Sequence, residues 1–97
     1  MRTISKVLII GFDPEEASFF KEAIRGSLEQ KNATRRYFVA SVRPTEGNLA
    51  GLRNVENLKS VIVTSEVESP LLEIIKQNCR TEVFASHEIE TLLKNLL

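Results

Sequence analysis

Two short stretches hold most of the side chains that could do chemistry. In VLIIGFDPEE, residues 7–16, an apolar run ends in Gly11, Phe12 and Asp13 and passes into a pair of glutamates. In IVTSEVE, residues 62–68, a second apolar run ends in Thr64, Ser65 and Glu66. A glycine turn ahead of a helix can aim bare backbone N–H groups at a phosphate. Asp13 with Glu66 and Glu68 would supply oxygen ligands for a hard cation. Ser41 and His87 complete the inventory. A histidine base within reach of Ser41, Thr64 or Ser65 would make an activated nucleophile.

The spacing argues against each of these chemistries. One glycine does not make a phosphate loop, and the chain has neither G-x-G-x-x-G nor the lysine–Ser/Thr pair of a nucleotide loop. Asp13, Pro14, Glu15 and Glu16 instead fit a helix start. Asp13 is the expected N-cap acceptor, Pro14 takes the first helical position, and Glu16 stands at capping-box spacing. Carboxylates there fill the positive end of the helix dipole, the niche an anion would need. His87 also falls at a helix start, with Ser86 as the expected N-cap; that end disfavours an imidazolium, and no positioning acid accompanies it. Cys79, the single cysteine, lies on an apolar helical stripe and reads as a packing residue without disulfide partner or metal-ligand spacing. The expectation is no catalytic residue, no metal and no cofactor.

The elements that must position these residues are legible as four β-branched or aromatic runs: residues 6–10, 35–42, 60–65 and 81–86. Helical stripes lie between and after them. Ala17, Phe20, Ile24 and Leu28 form one; Leu71, Leu72, Ile75 and Cys79 another; Ile89, Leu92, Leu93 and Leu96 the last. Between Thr45 and Lys59 the pattern is weaker, because two glycines and three asparagines interrupt Leu49, Leu52, Val55 and Leu58.

Strands alternating with helices imply a parallel sheet covered on both faces. Right-handed crossovers in the plain order 1-2-3-4 would crowd one face, whereas 2-1-3-4 distributes the helices over two. The expected fold is therefore α/β: a small, doubly wound, four-stranded parallel sheet of flavodoxin-like topology, one domain over residues 1–97. Its ligand crevice would open beyond the strand ends, lined by Gly11, Phe12, Ser41, Thr64, Ser65 and His87.

The quoted motifs resemble those of bacterial response-regulator receiver domains. VLIIGFDPEEASFFKEAI is similar to the receiver's first strand and helix, which often read V-L-I-V-D-D-D-P-E. SVIVTS with its helix, TEVFAS and HEIETLLKNLL resemble the receiver's final third, and FVASVRP echoes the strand and loop that carry the phosphoacceptor aspartate. The chain is shorter than a receiver by about one strand–helix unit. The resemblance also places residues of other types where receivers hold their chemistry. The two Mg²⁺-binding acids correspond to Gly11 and Phe12, the phosphoacceptor to Ser41, and the lysine after the last strand to Ala85 or Ser86; Thr64 alone survives. A degenerate, receiver-like scaffold without phosphotransfer is what this implies.

Thirteen basic and thirteen acidic residues cancel, so no global field recruits nucleic acid or an anionic membrane. Lys31, Arg35, Arg36, Arg43 and Arg53 make the middle of the chain basic, but Arg36 and Arg43 are about 20 Å apart along a strand, which argues against one nucleic-acid stripe. The apolar runs are too short to span a bilayer and no signal-peptide pattern opens the chain, so a cytoplasmic protein is expected. The functional expectation is a non-enzymatic interaction or regulatory module, with a small-ligand or anion sensor at the crevice as the alternative. A partner protein or second copy would dock on the face carrying Phe19, Glu82, Phe84, Leu96 and Leu97, with TEVFAS as an open edge strand.

Overall fold

The computed structural model describes residues 3–96. Each apolar run forms a strand and each stripe a helix: β1 (Ser5–Ile10), α1 (Pro14–Gln30), β2 (Tyr37–Val42), α2 (Glu46–Gly51), β3 (Leu58–Val63), α3 (Ser69–Asn78), β4 (Val83–Phe84) and α4 (Ile89–Leu96). The four strands make one sheet in the order β2-β1-β3-β4 with every pairing parallel. This is the doubly wound, flavodoxin-like arrangement that the alternation and the handedness rule imply.

Two apolar layers follow from the period of two along each strand. Val7, Ile9, Val39, Ile62 and Phe84 face one side and meet Phe20, Ile24 and Leu28 of α1 and Leu92 and Leu96 of α4. Leu8, Ile10, Val61 and Val63 face the other, under Leu49, Leu52 and Ile75 from the α2–α3 side. Strands β1 and β3 are thus covered on both faces, which is why VLII and VIV carry no polar alternation.

The ends of the elements are set locally. Helix α1 stops in a Schellman motif: Asn32 adopts φ 54°, its N–H reaches Glu29 O at 3.1 Å, and Ala33 N–H reaches Leu28 O at 2.8 Å. Strand β2 begins at Tyr37 rather than Arg35, because Thr34–Arg36 closes a 3₁₀ turn in which Arg36 N–H bonds Ala33 O. Between Thr45 and Lys59 the helix lasts six residues and passes into a 3₁₀ turn at Leu52–Asn54, with Asn57 at φ 61° turning the chain into β3. The glycines and asparagines there shorten the helix while leaving Leu49 and Leu52 buried.

The last strand departs most from expectation. Only Val83 and Phe84 pair with β3, since Thr81 Oγ1 is turned aside to donate to Lys59 O at 2.8 Å and a 3₁₀ turn begins at Ser86. That turn is capped by Ala85, not Ser86: Glu88 donates its N–H to Ala85 O and accepts the Ala85 N–H at 2.9 Å. Helix α4 then folds back over the sheet, and Tyr37 Oη donates to Leu96 O at 2.9 Å. Phe84 is 1% exposed and Leu96 is buried, so neither belongs to a docking face. Strand β4 is an edge, but a stub under its own helix. Leu97 lies outside the described residues.

Candidate functional site

Asp13 caps α1 as its position requires. One carboxylate oxygen accepts the N–H groups of Glu15 at 3.0 Å and Glu16 at 3.4 Å, and Pro14 at the first helical position has no N–H to satisfy. Glu16 does not complete a capping box. Its carboxylate reaches across to the other loop, where it accepts both the backbone N–H and the hydroxyl of Ser65.

The reverse contact comes from that loop. Glu66 Oε1 accepts the N–H groups of Phe12 at 2.6 Å and Asp13 at 3.0 Å. The loops after β1 and β3 therefore exchange carboxylates, each tied to the other's backbone. With Asp13, Glu15 and Glu16 N–H paired and Ala17 N–H bonded to Asp13 O, the donors around the start of α1 all have partners. Glu66 occupies the seat that a bound anion would take at this helix end. Partial burial pushes its carboxyl up, but the Thr64 hydroxyl dipole and the N–H groups of Phe12, Glu66 and Asp13 outweigh that and hold it below the ordinary glutamate range.

Thr64 and Gly11 explain why the loops fit. Thr64 N–H bonds Ile10 O at 3.0 Å and Gly11 N–H bonds Val42 O at 3.2 Å, extending the sheet by one rung on each side of β1. The Thr64 side chain is buried against Gly11, where a Cβ would sit 1.6 Å from Thr64 Oγ1. That hydroxyl makes no hydrogen bond of regular geometry, although it lies close enough to Glu66 to help hold the carboxylate charge. Gly11 is present for close approach, not for phosphate.

Of the six crevice candidates, Gly11, Phe12 and Ser41 line a common cleft of about 350 Å³ beside β2, together with Ser18, Lys21 and Arg43. Thr64 and Ser65 lie across the carboxylate exchange from it, and His87 is exposed in the turn before α4 and does not line it. No base, nucleophile and orienting acid converge among the described residues. No group of three or more His, Cys, Asp or Glu side chains could hold a metal ion among the described residues. Cys79 caps α3, half-buried against the second apolar layer, and that burial pushes its thiol up, away from thiolate chemistry. No helix among the described residues is long and apolar enough to cross a membrane.

Sequence reasoning missed the carboxylate exchange: Glu66 reads from the sequence as a solvated acid or a metal ligand, and Glu16 as a local cap. Their separation of about fifty residues leaves no short-range signal; only the adjacency of β1 and β3 brings them together. Lys21 and Arg43 were also not legible as cleft residues. No protein-family model matches the chain, and no curated protein matches it.

Proposed function

We propose that this chain is a non-enzymatic interaction module, a receiver-like scaffold that works by docking on another protein or on a second copy of itself. The observation that carries this reading is the carboxylate exchange. The place where α/β domains of this topology receive ligands and phosphoryl groups is filled by the chain's own Glu66 and Glu16. The acids that would bind Mg²⁺ in a receiver are replaced by a glycine and a phenylalanine, whose side chains offer no oxygen. The scaffold is kept and the chemistry is not.

The cleft beside β2 favours a second reading, a small-anion sensor, because Lys21 and Arg43 stand at its wall with two serine hydroxyls. Thermal unfolding separates the two. Inorganic phosphate, citrate and a nucleoside monophosphate at millimolar concentration are expected to leave the melting temperature unchanged, and acetyl phosphate with Mg²⁺ to leave the intact mass unchanged. A ligand present at about 100 times its Kd would stabilise the native state by about 2.7 kcal/mol. A saturable shift of that kind, lost in Lys21→Ala with Arg43→Ala, would replace the docking reading with the sensor.

A further inference from the structure

The sheet has two edges, and they are not equivalent. At one, β4 offers two residues beneath α4. At the other, β2 offers six, paired on one side only. Val42 O accepts from Gly11 N–H, so Val42, and with it Ala40 and Phe38, turn their backbone groups toward β1. Tyr37, Val39 and Ser41 alternate with them and direct theirs away from the sheet. This is a hydrogen-bonding row with no strand opposite.

The surroundings of that row are patterned. Residues 31–44 carry Lys31, Arg35, Arg36 and Arg43 and no acid, in a chain whose total charge is zero. The only ion pair among the described residues joins Lys76 to Glu73, so the three arginines have no carboxylate partner among the described residues. Phe38 is 57% exposed on the α2–α3 face, where the six-residue α2 leaves the strand uncovered. On the other face a groove of about 370 Å³ runs along the strand between α1 and β2, lined by Arg25, Leu28, Glu29 and Val39 among others.

We propose that β2 is a docking strand for an extended peptide of another protein, one with acidic side chains flanking a short β-forming core. The inference rests on the interaction-module reading and names its face and its partner. An added strand would bond Tyr37, Val39 and Ser41, lay one side chain in the groove beside α1 and others over Phe38, and set its acids against Arg36 at one end and Arg43 at the other. Those arginines flank the strand about 20 Å apart, so the acids belong about six or seven residues apart. A second copy is the poorer occupant. An antiparallel self-pairing centred on Val39 brings the Arg35–Arg36 turn of each copy against Arg43 of the other just beyond both ends of the ladder, and like charges brought together there oppose it.

The test is selection of a displayed library of random peptides, about twelve residues long, on the purified protein, followed by anisotropy titration of an enriched sequence. Enrichment of sequences with acids at both ends is expected, as is slowed amide exchange at Tyr37, Val39 and Ser41 on binding. Ser41→Pro, which removes an outward N–H that the sheet does not use, should abolish binding. Arg36→Glu with Arg43→Glu, both exposed, should weaken it by about tenfold or more, and a peptide with lysines in place of its acids should restore it. If Ser41→Pro does not fold, the charge-reversed pair decides by itself. No enrichment, binding indifferent to the charge reversal, or oligo-dT bound in place of peptide would overturn the proposal. Peptides protecting a different face would overturn the β2 assignment while leaving the docking reading intact; a protein that takes only phosphate or citrate would lose both.

Discussion

At the scale of single residues, Gly11, Thr64 and Glu66 form one interlocked unit whose parts respond differently to change. The Thr64 hydroxyl is buried without a regular partner, and such a group costs about 1–3 kcal/mol. Thr64→Val keeps the shape but removes both that cost and the hydroxyl's support of the Glu66 carboxylate, so the two effects oppose and stability is expected to change by less than about 1 kcal/mol, measured by urea denaturation. It should also move the Glu66 carboxyl back up toward the ordinary range, because the dipole that helps hold it down is gone. Gly11→Ala runs the other way. Its Cβ would meet Thr64 Oγ1 at 1.6 Å and Thr64 Cβ at 2.7 Å, so the loss should reach the upper end of the ~1–3 kcal/mol range for overpacking, and Thr64→Ala should relieve it only in part because the Cβ contact remains. Glu66 makes stability depend on pH. Its folded pKa is depressed, so its contribution is full above the ordinary glutamate range and is lost as pH falls through the folded value. The stability difference between wild type and Glu66→Gln is therefore expected to shrink as the pH falls from neutrality through the ordinary glutamate range and below it. A difference that stayed constant would mean that the carboxylate charge is not what the Phe12 and Asp13 N–H groups hold.

At the scale of elements, the two ends of α1 differ in what secures them. Asp13→Ala should cost about 0.5–2 kcal/mol, the range for a lost N-cap, measured by urea or thermal denaturation. Glu66 remains to satisfy the Phe12 and Asp13 N–H groups, which favours the lower half of that range. Strand β4 makes the opposite case. Phe84 sits in the layer between β1, β3, α1 and α4, so Phe84→Ala should cost about 3–5 kcal/mol and show itself as unfolding, not as dissociation of an assembly. The contrast also marks what the sequence discloses. The stripe of Ala17, Phe20, Ile24 and Leu28 is a local, periodic fact, and each of its members is buried. The strand order follows from alternation and handedness, both readable along the chain. Whether Phe84 faces solvent or core depends on where α4 comes to rest, and the partner of Glu66 depends on which loops the sheet brings together. Neither leaves a trace within a few residues of the side chain concerned, and for that reason the scaffold was legible while the site was not.

At the scale of the whole molecule, the sheet is unevenly supported. Strands β1 and β3 are paired on both sides and covered on both faces, whereas β2 has one neighbour and β4 contributes two residues. Amide hydrogen exchange should follow that order, slowest in Val7–Ile10 and Val61–Val63 and fastest in Val83–Phe84. Uniform protection across all four strands would mean that the sheet opens as one unit. The central place of the first strand has a further consequence, in the time during which the chain is made. No two strands here form a hairpin: residues 5–10 wait for residues 37–42 on one side and for residues 58–63 on the other. A ribosome adding about 5–20 residues per second leaves VLII without its second neighbour for seconds after it has emerged. Through that interval the most apolar segment of the protein is an unfilled vacancy in search of a strand. Yield during synthesis should then depend on translation speed and on chaperone supply more than the stability of the finished domain would suggest.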